Sequence, residues 1–323
     1  MLIRSIRSWE IPEREATPEA LFLSRRALLG GIGGAAGLAL SGFAPGAGAL
    51  AEDAADPNAA LYPAKRNEAF KLDREVTPEK VNGQYNNFYE FGGSKTISSA
   101  AQALKVRPWM IKIDGMVEKP IEISADELIK AMPLEERLYR HRCVEAWSMA
   151  VPWTGFPLSA LLAMAKPTAS AKYLRMETFM DPKMAPGQRQ PIYPWPYVEG
   201  LRMDEAANDL AFLVTGAYGK PLPKQHGAPL RLSTPWKFGF KSVKSINKFT
   251  FTDKQPLSFW QQLQSSEYGF WANVNPKVDH PRWSQANEEV LGTGEKKPTL
   301  LYNGYGEQVA SLYAGMESQK IYF

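Results

Sequence analysis

The sequence predicts an α+β fold built on mixed or antiparallel sheets. Two observations lead to this prediction: segments with strand-like alternation outnumber helical segments, and they come in neighbouring pairs along the chain. The chain has 323 residues, enough to bury a sizeable core. Its formal net charge of +4 is too small to indicate a nucleic-acid-binding surface.

The N-terminal residues have the pattern of an export signal. Arg25 and Arg26 form a twin-arginine pair, which a stretch rich in Gly, Ala and Leu follows over residues 30–50. So many glycines, together with Pro45, make a poor membrane-spanning helix. Residues 49–51 fit an A-x-A cleavage site. We therefore expect residues 1–51 to be a twin-arginine signal peptide that directs the protein to the bacterial periplasm.

The mature chain is predicted to consist of an arm and one domain. Residues 52–80 are rich in Ala, Pro and charge, which is typical of an irregular arm. Residues 81–323 contain no internal repeat and no linker, so we expect a single domain. Near its start, residues 82–93 mix Asn, Tyr and Phe with glycine and have no period, as ligand-contacting loops often do.

The first regular elements precede the only cysteine. Residues 109–117 alternate between apolar and polar side chains and predict a half-buried strand, which turns at 118–120 and returns over 121–123. Ser124 and Glu127 have the spacing of a capping box and predict a short helix through Met132, ended by Pro133. A short alternating run over 137–142 then leads to Cys143.

The second half of the chain predicts further short elements. A helix is expected over 158–165 and another over 198–208, with strands over 173–179, 209–217, 229–233 and 243–252. Residues 193–197 form a stiff aromatic loop, and 299–302 are a candidate last strand. The region after Asp253 has little regular pattern, and its aromatic residues are expected to pin it to the body of the protein: Trp260, Tyr268, Phe270, Trp271 and Trp283.

Cys143 is the residue most suggestive of chemistry. Its neighbours Arg140, His141 and Arg142 predict an electropositive setting, which would lower the thiol pKa and favour a thiolate. A thiolate is a nucleophile or a soft metal ligand, whereas the alternative is a small buried hydrophobe. A single thiol in an oxidising compartment needs protection, and coordination to a metal would provide it. Glu145 could donate a proton near such a metal or could pair with Arg142 or a lysine.

Common catalytic and metal-binding motifs are missing from the sequence. The three histidines lack metal-ligand spacing, there is no C-x-x-C, and no G-x-S-x-G or G-x-G-x-x-G follows a predicted strand. Between residues 231 and 244, four basic side chains alternate with three aromatic ones: Arg231, Lys237, Lys241 and Lys244 with Trp236, Phe238 and Phe240. This loop either binds an anion such as phosphate or is a solvated basic face.

Several longer motifs resemble one family. They are NNFYEF at 86–91, RCVEAWSM at 142–149, WKFGFK at 236–241, EYGF at 267–270, NVNP at 273–276 and HPRWSQ at 280–285. Together they are similar to the periplasmic protein-methionine-sulfoxide reductase catalytic subunits of bacteria (the MsrP type). The resemblance runs from the leader to the C terminus, and it implies a sulfite-oxidase-like molybdopterin-binding fold with mixed and antiparallel sheets.

The resemblance also implies a cofactor and its contacts. Cys143 would be the thiolate ligand of a molybdenum ion carried by one molybdopterin per chain. The implied cofactor-binding residues are Asn86, Tyr89, Glu90, Thr178, His226, Arg231, Ser242, Val243 and Lys244. His226 stands where some relatives have Asn.

The implied reaction is reduction of methionine sulfoxide in oxidised periplasmic proteins by oxygen-atom transfer. The implied electron donor is a haem-containing membrane subunit. Residues 147–153 and 193–197 are candidate rims of an open site. One alternative is a molybdoenzyme of the same fold that acts on sulfite or another small oxide. Further alternatives are a cofactor-free periplasmic protein that binds an anion through the basic-aromatic loop, and a thiol peroxidase, which would lack a resolving cysteine.

Overall fold

The computed structural model describes residues 56–316 and 318–323, so the predicted signal peptide and the start of the arm lie outside the described residues. In chain order the strands are β1 (Met110–Gly115), β2 (Ile121–Ser124), β3 (Glu135–Arg142), β4 (Trp147–Pro157), β5 (Tyr173–Thr178), β6 (Val198–Arg202), β7 (Phe212–Ala217), β8 (Lys220–Pro221), β9 (Arg231–Ser233), β10 (Ile246–Thr252), β11 (Asn287–Val290) and β12 (Lys296–Pro298). The α-helices are α1 (Glu79–Gln84), α2 (Ala125–Ala131), α3 (Leu158–Ala165), α4 (Met203–Ala207), α5 (Phe259–Leu263) and α6 (Gly306–Val309).

These strands form two sheets. The first has the order β2-β1-β10-β5-β6, and only β1 and β10 run parallel in it. The second has the order β12-β11-β4-β7-β8, with β3 paired to β4 and β9 paired to β7. Here β11 and β4 run parallel and the other pairs are antiparallel. The predicted α+β class with mixed and antiparallel sheets is confirmed.

Strand β4 lies at the centre of the second sheet and carries the site. Every residue of β4 from Trp147 to Phe156 is buried, as expected for an apolar strand with partners on both edges. It forms a hairpin with β3 in which Arg142 pairs with Ser148. Residues 143–146 are therefore the tight connection of a hairpin, and Cys143 is its first residue.

The predicted helix α2 and its cap are confirmed. Ser124 accepts a hydrogen bond from the backbone N–H of Glu127 at 3.2 Å, and the Glu127 carboxylate accepts one from the Ser124 N–H at 3.1 Å. This reciprocal pair satisfies two donors that a helix start leaves open. The strands predicted over 109–117, 173–179 and 209–217 are also present with narrower bounds, and the strand predicted over 121–123 is present and one residue longer.

One element prediction is wrong and another is wrong in its first half only, since Met203–Ala207 of the helix predicted over 198–208 is helical. Residues 198–202 form β6 rather than a helix, because β5 offers them an edge and tertiary pairing overrides local preference. Gly200 suits this position, since a Cβ there would lie 2.8 Å from Pro256. Residues 301–304 form a 3₁₀ turn rather than a strand, with Tyr302 and Asn303 in the left-handed region at φ 49° and 53°. The Asn303 side chain holds that turn by donating to the Pro235 carbonyl at 2.8 Å.

The described part of the arm, from Asp56 onward, is irregular apart from a 3₁₀ turn at Ala59–Leu61 and the start of α1 at Glu79. It is tied to the second sheet by the hydroxyl of Tyr62, which donates to the side chain of Thr215 at 2.8 Å, and by the Arg66–Glu136 ion pair at 2.6 Å. Within residues 56–316 and 318–323, no helix has the length and apolar character needed to cross a membrane.

Candidate active site

The turn that carries Cys143 is held in place from both sides. The Cys143 N–H donates to the Trp147 carbonyl at 2.9 Å, and the Ala146 N–H donates to the Cys143 carbonyl at 3.1 Å. Ala146 adopts the left-handed conformation with φ 64°. From outside the turn, Trp283 Nε1 and Gln285 Nε2 both donate to the Val144 carbonyl, at 2.7 and 2.8 Å. Hydrogen bonds within the turn and hydrogen bonds from two outside side chains to its backbone thus fix the position of the thiol.

Cys143 lies in a cavity of about 930 Å³, a volume that includes the open space at the mouth of the cavity. All the predicted site residues except Thr178 line this cavity: Asn86, Tyr89, Glu90, Cys143, Glu145, His226, Arg231, Ser242, Val243 and Lys244. Thr178 lies behind it, where its hydroxyl donates to the Ser245 carbonyl at 3.1 Å and its side chain also contacts the Glu90 carboxylate. Thr178 therefore supports a lining residue without lining the cavity itself.

The loop over residues 86–90 is fixed by close backbone packing against the 3₁₀ turn Pro186–Arg189. The Gly187 N–H donates to the Glu90 carbonyl at 2.8 Å, and a Cβ on Gly187 would lie 2.0 Å from the Tyr89 carbonyl oxygen. Only glycine permits this approach. The packing holds the Asn-Tyr-Glu loop against the cavity, where the resemblance implied a cofactor contact.

The predicted low pKa of Cys143 is wrong for the free protein. Burial raises the thiol pKa to about 12, and the nearby Glu145 carboxylate adds to the increase. The flanking cations do not offset this effect, because each has its own partner: Arg140 pairs with Asp73, and buried Arg142 pairs with Glu288. A bound metal ion would deprotonate the thiol regardless, since metal coordination selects the thiolate.

Glu145 is the centre of a small polar network beside the thiol. Its carboxylate pairs with Lys95 and accepts hydrogen bonds from Trp147 Nε1 at 3.0 Å and Asn87 Nδ2 at 3.3 Å. Burial opposes ionisation of Glu145, but the hydrogen bonds from Lys95 and Trp147 outweigh it and hold the pKa below its ordinary value. Glu145 thus forms an ion pair with Lys95, as one of the two interpretations expected. Its role as a proton donor stays a prediction.

Buried Arg231 and half-buried Lys244 both line the cavity. The Arg231 guanidinium donates to the carbonyls of His226 at 3.0 Å, Leu232 at 3.3 Å and Ser242 at 3.4 Å. Burial lowers its pKa to about 10. Burial and the charge of Arg231 lower the pKa of Lys244 to about 7, although Glu90 acts in the opposite direction. Because two neighbouring cations with little access to water are costly together, this part of the lining suits an anionic group such as phosphate.

Lys237 and Lys241 do not take part in this anion site. The Lys237 ammonium lies 2.5 Å from Glu205, and that of Lys241 lies 2.9 Å from Glu199, with all four side chains fully buried. Burial consequently turns half of the predicted basic loop into internal ion pairs. The interpretation as a solvated basic face is therefore wrong, and anion binding by Arg231 and Lys244 of this loop stays a prediction.

Unpaired buried polar atoms indicate that a polar ligand belongs in the cavity. Trp153 Nε1 and His226 Nδ1 are buried without a hydrogen-bond partner, and both residues line the cavity. His226 Nε2 lies 3.3 Å from the Asn82 carbonyl, and burial lowers the pKa of the ring to about 3, so the imidazole is neutral. Buried polar groups are normally satisfied, and an organic ligand with ring N–H and carbonyl groups would satisfy these.

The donor set suits a metal that arrives with its own ligands. Among the described residues, no three His, Cys, Asp or Glu side chains converge as a metal site. Cys143 offers one soft sulfur ligand next to a cavity large enough for an organic group. A buried thiol, two cations and unpaired polar atoms thus fit a metal-bearing, phosphorylated, nitrogen-rich cofactor such as molybdopterin.

A second opening adjoins the cavity, and we call it the vestibule. It is lined by Tyr85, Tyr89, Lys95, Glu145, Trp147, Ile192, Tyr193, Trp260, Leu263, Gln264, Tyr268, Arg282 and Trp283. Both segments predicted as rims contribute, since Trp147 and Tyr193 line the vestibule and Trp153 and Tyr197 line the cavity.

Sequence reasoning missed Lys95, and it placed Tyr85 and Asn87 only in the candidate ligand-contacting loop 82–93. Trp260, Tyr268 and Trp283 were expected only to pin the C-terminal region. Trp260 and Tyr268 do pack against the body, with Trp260 against Tyr89 at 5.0 Å and Tyr268 against Phe240 at 5.2 Å. The aromatic density of an aperiodic region was the available signal, but it could not tell a site wall from a packing contact.

Comparison with known proteins places these features in a family. A family model described as the oxidoreductase molybdopterin binding domain matches residues 98–260, which include Cys143 and the 226–244 segment. This match confirms the predicted molybdopterin-binding fold. The chain is 48% identical over 326 residues to the protein-methionine-sulfoxide reductase catalytic subunit MsrP of Burkholderia mallei, which spans 97% of this chain and 96% of that protein.

A second relative agrees. The same-named protein of Xanthomonas campestris pv. campestris is 49% identical over 316 residues, which span 96% of this chain and 97% of that protein. Among solved structures, the sulfane dehydrogenase SoxCD from Paracoccus pantotrophus is similar with a TM-score of 0.47 and 18% identity, over 76% of this chain and 63% of that chain.

Proposed function

We propose that this chain, which belongs to the family of protein-methionine-sulfoxide reductase catalytic subunits, reduces methionine sulfoxide in proteins at a molybdenum–molybdopterin centre. The observation that carries the proposal is that the buried Cys143 thiol lines the same cavity as Arg231 and Lys244. A single sulfur ligand and two cationic side chains in one cavity match one molybdopterin per chain.

The residues of the cavity have separate tasks in this proposal. Arg231 and Lys244 would hold the phosphate of the cofactor. Asn86, Tyr89, Glu90 and His226 would contact its ring system, together with the 242–243 segment. Cys143 would bind the metal as a thiolate. When bound, this group supplies a two-electron centre able to exchange an oxygen atom with a sulfoxide.

The overall reaction converts the sulfoxide of a methionine residue, two electrons and two protons into the thioether and water. The sulfur is reduced, and the electrons come from a separate electron-transfer partner. We propose that this partner is a haem-containing membrane subunit, in keeping with the description of the relatives as catalytic subunits. The twin-arginine pattern of residues 1–51 supports a periplasmic location, where the substrates would be oxidised periplasmic proteins.

The charges around the vestibule favour a neutral sulfoxide over sulfite. An enzyme that acts on sulfite needs cations free to meet a dianion. Here Lys95 pairs with Glu145, and Arg282 pairs with Glu267. Both cations that line the vestibule are thus already neutralised, and a substrate without net charge loses less hydration on entry.

The experiment is metal analysis of protein exported through its own leader, compared with Cys143→Ser. We expect about one molybdenum per chain in the natural protein and loss of molybdenum in the variant. We also expect the natural enzyme to reduce the methionine sulfoxides of an oxidised substrate protein back to methionine when a reduced low-potential dye supplies the electrons. Absence of molybdenum from mature protein, or turnover of sulfite without turnover of sulfoxides, would overturn the proposal.

A further inference from the structure

The vestibule is continuous with the active-site cavity. The two share Tyr85, Tyr89, Glu145, Trp147, Trp260 and Tyr268 as lining residues. Ile192 and Tyr193 extend the wall outward from this shared part, and the Ile192 side chain is 70% exposed. A ligand that reaches Cys143 through this opening therefore has room for neighbouring groups along the Ile192 side.

The aromatic wall is preformed. Trp260 packs edge-to-face against Tyr89 at 5.0 Å, and its ring also lies 5.1 Å from that of Tyr268. Tyr193 lies 5.8 Å from Tyr89 and stacks on the buried ring of Phe259 at 5.8 Å. Rings that support one another in this way offer large apolar surfaces at little cost in conformational entropy. Methionine sulfur and its methyl group make favourable contacts with such rings.

The charged groups of the vestibule discriminate against a free amino acid. The Lys95 ammonium is taken by Glu145, and the Arg282 guanidinium donates to Glu267 from Nε at 3.0 Å and from Nη2 at 2.7 Å. A free amino acid would bring an ammonium and a carboxylate to a wall of aromatic rings and occupied ions. Both charges would lose hydration without gaining a partner. In a peptide the same positions are neutral amides.

We propose that the vestibule is a binding site for a peptide segment carrying methionine sulfoxide, with Ile192, Tyr193 and Trp260 contacting apolar residues that flank the sulfoxide. This inference rests on the proposed function and adds a location and a chemical preference to it. The preferred ligand is an internal methionine sulfoxide in an uncharged, apolar segment, and the free amino acid is disfavoured.

The test compares three sulfoxides on the molybdenum-loaded protein with a reduced low-potential dye: an acetylated and amidated Leu-Met(O)-Leu peptide, free methionine sulfoxide and dimethyl sulfoxide. We expect kcat/KM for the capped peptide to exceed that for the free amino acid about tenfold, mainly through KM. Ile192→Ser should lower the ratio of peptide to dimethyl sulfoxide kcat/KM about threefold. Leu257→Ser is the matched control, because Leu257 is 53% exposed but does not line the vestibule.

Calorimetric titration with the capped Leu-Met-Leu product peptide and with free methionine gives a second, turnover-independent measurement. We expect tighter binding of the peptide, weakened by Ile192→Ser and unaffected by Leu257→Ser. The vestibule proposal would be overturned if peptide and free amino acid had equal kcat/KM and equal affinity, or if the two variants had equal effects. Turnover of sulfoxides in the same experiment would still uphold the proposed function. If the molybdenum-loaded protein bound the peptide selectively but reduced no sulfoxide, the vestibule proposal would stand and the proposed function would fall.

Discussion

Trp283 donates a hydrogen bond from its indole Nε1 to the carbonyl of Val144 at 2.7 Å, and Val144 is the residue that follows Cys143. A side chain far along the chain thereby holds the turn that presents the thiol. The contact joins the aperiodic C-terminal region directly to the β3–β4 hairpin. The C-terminal region is therefore part of the active-site framework.

Trp283→Phe should lower the free energy of unfolding by about 1 kcal/mol, the usual worth of one buried hydrogen bond. Gln285 still donates to the Val144 carbonyl, so the turn should remain folded. The matched control is Trp195→Phe, because Trp195 Nε1 is buried without a partner and its loss removes no hydrogen bond. Urea unfolding of both variants measures the difference, and equal destabilisation would contradict the role of the Val144 contact.

Lys237→Met should destabilise the protein by about 3–5 kcal/mol, because it leaves the buried Glu205 carboxylate without its cation. The double variant Lys237→Met/Glu205→Gln should recover part of this loss. Lys220→Met, which removes a surface pair with Glu79, should cost less than about 1 kcal/mol. Denaturant unfolding measures the stability of the three variants. Equal destabilisation by Lys237→Met and Lys220→Met would show that burial does not determine how much the loss of an ion-pair lysine costs.

Arg231→Met should abolish cofactor retention without destabilising the cofactor-free protein. In the described residues the buried guanidinium donates to three carbonyls and lies over the Trp153 ring at 5.0 Å, but it pairs with no carboxylate, so its removal relieves an uncompensated charge. We expect at least a tenfold loss of bound pterin, measured by the fluorescence of the released and oxidised pterin. We also expect an unchanged or higher thermal midpoint of the cofactor-free form. Lys254→Met, at an exposed position, serves as the control for both measurements.

His226→Asn should change how the stability of the cofactor-free protein depends on pH. The folded-state pKa of His226 is lowered to about 3 by burial and by the facing charges of Arg231 and Lys244. The unfolded chain therefore binds more protons below the ordinary pKa of about 6.5, and its protonation removes stability as the pH falls. Relative to the natural protein, the Asn variant should gain about 2 kcal/mol between pH 7.5 and pH 5. Parallel pH profiles in urea unfolding would contradict this expectation.

The fold was predictable where local patterns and pairing agree. The alternation over 109–117 and the Ser124–Glu127 capping box specify β1 and the start of α2, and both are present. Residues 198–202 were predicted wrongly because pairing with the edge of β5, which local sequence patterns do not show, decided their conformation. The turn at 301–304 likewise depends on a remote acceptor, the Pro235 carbonyl.

For the site, the sequence by itself determined which groups are available: one thiol, a loop of Asn, Tyr and Glu, and a run of cations and aromatic rings. The tertiary structure decided which of them face the cavity. Lys237 and Lys241 have the same charge as Lys244, yet burial opposite Glu205 and Glu199 removes them from anion binding. The tertiary structure also decided the pKa of the Cys143 thiol. Folding buries the thiol, and the effect of burial outweighs the effect of the basic residues next to it in the sequence.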